Sequence, residues 1–580
     1  MVVRPLYVVF AGCGLLAVHA FAQPITFAHD IAPIVYANCV KCHRPGGEGP
    51  FSLVSYQDVQ KRARQIADVT RKRFMPPWLP DSGDFEGARR LSDDQIRAIA
   101  AWVAQGAPQG PADQIPVPPK FADGWELGPP DLVLDAQDEI AVPGAGPDVY
   151  WNFLFQPALK APRYVRAIEI RPGSRSVVHH ANLLVDRLGS SATEARGRGG
   201  FPGMDLTLFR SPFDPDGHFL FWKPGAAPHV EPDGFAWRLD PGNLLVLNTH
   251  VHPSGKTDTL RPSLGLYFTD KPPSKFPLLL QLENDDALNI PAGAAHFAVS
   301  DDFRLPMDVD VIAIYPHAHY LGKKLEAFAT LPDGSRRELI RIPDWDPGWQ
   351  AVYYFREPVT LPKGTVISMR YEYDNSAANV RNPNRPPKRV QAGNQSTDEM
   401  AHLWLEVLPH GVGDRRRELE EALMRHRIEK SPLDFEANFN LGIVMMSRLN
   451  PTGAVSSLRT AVRVEPDRAD AHNALGLALA ATGRSAEAIA EYDRAVQLKP
   501  DYAAARFNRA NVLVKAGKIE QAISDYRVVA AADPDDPAPK RALARALVVR
   551  AQQVEADGKE SDARALLDEA RRLDPELKIP

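Results

Sequence analysis

Residues 308–319 read DVDVIAIYPHAH, and the reading of the middle of the chain starts there. Apolar and polar positions alternate at its start and the run closes on His317 and His319. In a strand, side chains two apart leave one face, so this pair can reach a single ion. Similar runs precede and follow it: YVRAIEI (164–170), NLLVLNTHV (243–251), LGLYF (264–268), TVISMRYEY (365–373) and HLWLEVL (402–408). Short strands separated by Pro, Gly and Asp predict all-β sandwiches. The span 125–410 has room for two, at 125–270 and 271–410, with the Pro-rich TDKPPSKFP (269–277) as their seam.

Eleven of the sixteen histidines fall in this span. SVVHHANLLVD carries His179 and His180, LNTHVHPSGK carries His250 and His252, and YPHAHYLGK carries His317 and His319. GNQSTDEMAHLW adds Met400. Adjacent residues of a strand point to opposite faces, so joint use of His179 and His180 requires a bulge or loop. Taken singly, each pair is as consistent with ordinary histidines as with ligands. Three pairs in one β region point to metal. Two imidazoles and a thioether form a soft set that favours copper, above all Cu(I), over zinc or magnesium.

Outward toward the N-terminus, YANCVKCHRPG places Cys39, Cys42 and His43 in the C-x-x-C-H spacing of covalent haem attachment. Residues 92–105, SDDQIRAIAAWVAQ, predict a helix capped by Ser92 and ended by Gly106, with Ile96, Ile99, Ala100 and Val103 as its apolar stripe. Residues 23–108 resemble a small helical cytochrome c. Met75 is the only methionine between Gln23 and Gly203, which makes it the candidate second axial ligand. The other reading packs Met75 against the haem edge and leaves the sixth position open. Residues 109–124, rich in Pro and polar side chains, predict an extended linker.

Residues 1–22 have the layout of a secretory signal, one arginine before an apolar run ending in Ala-Phe-Ala. The expectation is an exported chain, periplasmic or secreted. Retention as an anchor, or lipidation at Cys13, stands as the alternative. Removal of Cys13 leaves only the two haem-motif cysteines. No later stretch is apolar enough to span a membrane. With 68 basic against 73 acidic residues and a net charge of −5, nothing marks a nucleic-acid partner.

Beyond 410 a charged helix (411–431) leads into a repeat. Pro432, Pro466, Pro500 and Pro534 recur every 34 residues, as do Leu441-Gly442 and Leu475-Gly476. That is the tetratricopeptide (TPR) period and predicts an α-helical solenoid over 432–580 whose groove takes a protein or peptide.

The four histidine and methionine motifs, in this order, resemble the copper type II ascorbate-dependent monooxygenases, the peptidylglycine α-hydroxylating and dopamine β-monooxygenase group, over about half the chain. The resemblance implies two jelly-roll-like sandwiches with one copper each. His179, His180 and His250 would hold an electron-storing copper, and His317, His319 and Met400 the copper at which dioxygen attacks a C–H bond. His252 stands beside His250 either as a substitute ligand or as its support. Tyr315 replaces the arginine by which peptide-amidating members grip a carboxylate, and Trp404 replaces their tyrosine, which argues against a peptidylglycine substrate. The expectation is a multidomain haem and copper monooxygenase acting on a small organic substrate, with one covalent haem c, two coppers, and electrons from a periplasmic donor entering through the haem. The alternatives are a non-catalytic copper-binding electron carrier docked through its solenoid and, third, a mononuclear zinc hydrolase.

Overall fold

The computed structural model describes residues 24–121, 124–146, 148–174, 177–187, 189–203, 218–534 and 536–577. The signal expected over 1–22 lies outside them. The described chain forms two compact units, 24–78 with 89–121, and 79–88 with the remainder.

The first unit is helical. Phe27–Ile31, Ala32–Asn38, Tyr56–Lys61, Ala63–Arg71 and Asp93–Ala104 surround Phe27, Ile31, Val35, Leu53, Val59, Ile66, Ile99 and Trp102. Ser92 caps the last helix in a reciprocal capping box with Gln95, which satisfies two end donors. Trp102, not Ala100, completes the buried stripe, and its indole N–H donates to the Pro108 carbonyl (2.9 Å). Residues up to 121 stay with this unit: Ile115 and Phe121 pack on its core and Arg44 lies over the Phe121 ring. Residues 109–121 of the extended linker expected over 109–124 therefore belong to the helical unit.

Residues 79–88 were expected inside the N-terminal domain and instead join the second unit. Phe85 pairs antiparallel with Phe355, Glu86 N–H donates to the Tyr354 carbonyl (2.8 Å), and Arg356 N–H donates to that of Asp84 (3.0 Å). The host strand, Tyr353–Leu361, is the edge of its sheet. The addition covers donors and acceptors that an edge leaves bare. Phe85 is 1% exposed between Tyr353 and Phe355.

In the second unit, the described residues of the region 125–270 hold two larger antiparallel sheets besides the two-stranded pair Ile140–Val142 and Asp258–Leu260. One runs Leu132–Asp135, Ser263–Thr269, Arg163–Arg171, Trp237–Leu239; the other runs Gly200–Pro202, Val149–Phe155, Leu244–Val251, Val178–Asp186, Phe221–Trp222. Both contribute to one core, with Val165, Ile170, Trp237 and Leu266 from the first and Phe153, Leu183, Leu245 and Leu247 from the second. The region 271–410 repeats the plan. Leu278–Glu283, His402–Pro409, Val309–His317 and Tyr353–Leu361 form one sheet, and Phe297–Arg304, Val366–Tyr373, Gly322–Thr330 and Arg336–Ile342 the other.

Helix Arg416–Lys430 is more than a connector. Leu419, Leu423 and Met424 are fully buried, and Arg427 reaches Glu283 (2.8 Å) while His426 and Lys430 both reach Asp301 of the second sandwich (2.8 and 2.5 Å). Among the described residues eight helices follow, from Phe435–Ser447 to Glu560–Leu573, packed as successive pairs. Gly476 exists for that pairing: a Cβ there would stand 2.6 Å from the ring of buried Tyr492 on the next helix. Gly442 meets Leu458 in the same way one repeat earlier. Among the described residues no helix is long and apolar enough to cross a membrane.

Candidate functional site

The expected haem segment sits at the end of helix Ala32–Asn38, where the chain turns so that His43 N–H donates to the Cys39 carbonyl (3.0 Å). Cys39 and Cys42 are free thiols, with Cys39 pushed up to about 12 by burial and by Cys42. His43 lies 3.1 Å through Nδ1 from the Phe51 carbonyl and stacks on the Phe51 ring. With Nδ1–H donating there, Nε2 is the atom left for iron, and the hydrogen bond fixes the ring's orientation. Gly49 N–H donates to the Cys42 carbonyl, and a Cβ on Gly49 would fall 2.5 Å from His43 Nδ1, so the loop wraps the imidazole closely. Two free thiols and an imidazole with one open nitrogen fit a covalent haem. Met75 lies just beyond helix Ala63–Arg71, with its N–H donating to the Val69 carbonyl (3.3 Å).

In the first sandwich, strand Val178–Asp186 pairs His180 with His250, and the register shifts between Val178 and His180. His179 is the extra residue of that bulge, so the two adjacent histidines serve one site. His180 Nδ1 lies 3.2 Å from His179 Nδ1, which lies 3.3 Å from His250 Nδ1. Three imidazole nitrogens thus converge. Burial, reinforced by the neighbouring imidazoles, holds His180 far below the ordinary histidine range and His179 down to about 4, so both imidazoles are neutral at pH 7. Asp148 lies behind them. It takes His250 Nε2 on one oxygen and His252 Nδ1 on the other, each at 2.7 Å. Burial alone would raise the Asp148 carboxyl, but the two imidazoles outweigh it and hold it down to about 2. His252, with 67% of its side chain exposed, is thereby a partner of Asp148 and not a member of the trio.

In the second sandwich, a register shift between Val311 and Ala313 changes which face is buried. Val309 and Val311 face the core, then Ile314 and Pro316, so Ala313, Tyr315 and His317 lie on the opposite face, across from Glu406, Trp404 and His402. The rings of His317 and His319 are 5.3 Å apart. His317 Nδ1 lies 2.8 Å from Gln350 Oε1 and His319 Nδ1 lies 3.0 Å from the Asp398 carbonyl, which leaves both Nε2 atoms for a metal. Burial, then the neighbouring His319 and His402, push His317 down to about 3. Met400 is tied to the same turn through Glu399, whose Oε2 accepts from the N–H of both His319 (2.7 Å) and Met400 (3.2 Å). His402 is engaged elsewhere, with Asp285 at 2.9 Å.

Gln350 joins the two groups. Its Oε1 accepts from Tyr315 (2.8 Å) and faces His317, while its Nε2 lies 3.2 Å from His180 Nδ1. Asp148, Gln350 and Glu399 are the site residues that sequence reading missed. Only Glu399, beside Met400, carried a positional hint.

The tetratricopeptide repeat family matches residues 446–503 and again 479–546. No curated protein matches the chain. Among solved structures, MamA is 21% identical over 28% of this chain and 90% of its own, with a TM-score of 0.24. YrrB, described as a TPR protein with an unusual peptide-binding site, gives the same identity and TM-score over 28% of this chain and 79% of its own. The 34-residue period, the paired helices and the family match together make the C-terminal region a run of tetratricopeptide repeats.

Proposed function

We propose that this chain is an exported copper monooxygenase with a built-in c-type haem, its two sandwiches being the jelly-roll-like pair of the family that its motifs resemble and residues 24–78 with 89–121 a cytochrome c-like inlet. The reading rests above all on one observation, that six histidine, glutamine and tyrosine side chains from two sandwiches, His179, His180, His250, His317, Gln350 and Tyr315, interlock so that three imidazole Nδ1 atoms converge in one sandwich and Gln350 bridges from them to His317 in the other.

Bound copper would supply the one-electron steps that let dioxygen attack a C–H bond. The balance is one oxygen atom into the C–H bond, the other released as water, with two electrons and two protons consumed. In this chain His179, His180 and His250 bring their Nδ1 atoms together, that of His180 also facing Gln350 Nε2, while His317 and His319 offer Nε2 and Met400 joins the His319 turn through Glu399. The thioether and the neutral imidazoles suit Cu(I), the state from which oxygen chemistry starts. Asp148, Gln350 and the Asp398 carbonyl fix the tautomers by occupying the opposite nitrogens. Tyr315, buried with its hydroxyl spent on Gln350, offers no cation to a substrate carboxylate. A small uncharged or aromatic organic substrate fits this better than a peptide acid. The tetratricopeptide repeats, whose only histidine is held by Glu491 and the Pro466 carbonyl, are assigned to a protein or peptide partner.

The test is stopped-flow mixing of the dithionite-reduced, copper-loaded full chain with oxygen. The haem should reoxidise through copper, so copper-free protein should reoxidise more slowly and Met400→Ala should lose substrate-dependent oxygen uptake. Equal haem reoxidation with and without copper refutes the inlet. A Met400→Ala variant that changes only Cu(I) affinity makes the chain a carrier.

A further inference from the structure

A second cluster of ligand-type side chains lies away from the copper-type histidines. Strand His402–Pro409 buries Leu403, Leu405 and Val407 in the core of the second sandwich, so Glu406 belongs to its opposite face with His402 and Trp404. An acid on an outward face is normally wet. Here Glu406 is covered by His218 and Glu231 of the first sandwich, and the three side chains are 3%, 5% and 3% exposed. Glu231 is positioned by its N–H donating to the Arg166 carbonyl (2.8 Å), next to the bridge between Val230 and Ala167.

His218 Nδ1 stands 3.0 Å from Glu231 Oε1 and 3.9 Å from Glu406 Oε1. Despite the closeness, among the described residues His218 Nδ1 makes no directed hydrogen bond, and neither does Glu231 Oε2. Buried polar atoms in that condition lose hydration without a compensating bond, and native interiors avoid them. The spacings are those of donors around one ion: ligands about 2.0–2.2 Å from a tetrahedral metal lie about 3–4 Å from each other. With Glu231 binding through both oxygens, His218 Nδ1 and Glu406 Oε1 complete four donors.

We propose that His218, Glu231 and Glu406 hold one divalent cation of the zinc type, as a clasp between the two β-sandwiches. One imidazole and two carboxylates, with no sulfur, make a harder set than either copper-type site. Its charge would also balance, since two carboxylates neutralise a dication. Without an ion, burial and then the Glu231 charge push Glu406 above the carboxylate range, and the Glu231 charge overcomes burial to raise His218.

The experiment uses the full chain carrying His179→Ala, His250→Ala and His317→Ala, which disables both copper-type sites. After chelator treatment and dialysis against Zn2+, mass spectrometry should find about one zinc per chain, and Zn2+ should raise the thermal midpoint, as a ligand of the native state does. Adding Glu406→Gln should remove that zinc and the thermal shift. A chain that binds no zinc, or one in which Glu406→Gln changes nothing, leaves a buried ion-pair network only and overturns the proposal. If the Glu406→Gln chain does not fold, zinc X-ray absorption on the parent background decides: a nitrogen and oxygen shell with a single imidazole supports the clasp, and two imidazoles or any sulfur refute it.

Discussion

Cutting the chain after residue 425 and after residue 434 should give two proteins of very different stability, although both lack every tetratricopeptide helix. The shorter one loses His426, Arg427 and Lys430. Asp301, whose side chain is 2% exposed, then has neither His426 nor Lys430 on it, and Glu283 loses Arg427. Removing one side of a buried pair costs about 3–5 kcal/mol. The lower end applies here, because the N–H groups of Glu283 and Asp302 still donate to Asp301. At about 2–4 °C per kcal/mol for a body of this size, the 1–425 protein should melt about 6–12 °C below 1–434. Near-ultraviolet circular dichroism follows the transition through Trp237 and Trp345, both buried in the sandwiches. The gap should also depend on pH. Burial would raise Asp301, but the hydrogen bond from His426 and the charge of Lys430 outweigh it and hold its carboxyl below the usual range. A depressed folded value means stability present above the ordinary aspartate pKa, about 4, and lost as pH falls through the folded value. The gap should therefore shrink in acid, and Asp301→Asn should recover part of the loss in 1–425 at pH 7. Midpoints within about 1 °C of each other at pH 7, against the several degrees expected per buried pair, would refute the reasoning.

Gln350→Leu should weaken Cu(I) binding at the His317 and His319 site about 10- to 100-fold, the usual effect of removing the partner of a ligand imidazole; competition with a chromophoric Cu(I) chelator measures it, and unchanged affinity would show that Gln350 does not orient His317. Phe85→Ala should destabilise the β unit by about 3–5 kcal/mol in urea unfolding, as expected for emptying a fully buried ring site, with covalent haem content unchanged. Haem loss without β destabilisation would contradict the assignment of residues 79–88.

The elements that sequence made legible are those whose signal is local. The 34-residue period survives because each repeat must stack on the next, and Gly442 and Gly476 recur because the following helix passes too close for a side chain. Ser92 and Gln95 announce a helix start within four residues. The exchange of residues 79–88 was not legible, because its cause is an open sheet edge near Phe355, some 270 positions away, and the surrounding sequence reads as continuous with the helical unit.

The same contrast governs the candidate sites. His-x-His and His-His spacings announce that imidazoles are near each other, but not which nitrogen of each ring is free. That is decided by whatever takes the other nitrogen: Asp148 for His250, Gln350 for His317, and the Asp398 carbonyl for His319. Those partners stand 102, 33 and 79 positions away. The outcome is asymmetric, with one group converging through Nδ1 and the other left with Nε2. Alternation likewise placed His317 on a strand, but a single bulge between Val311 and Ala313 decides that it leaves the core face. Had the register run straight, His317 would share a face with Val309 and Val311 and its imidazole would be core. One inserted residue therefore separates a buried histidine from a candidate ligand, and period-two reading is blind to it because the shift lies in the pairing with Tyr353–Leu361 and His402–Pro409 rather than in the strand's own sequence.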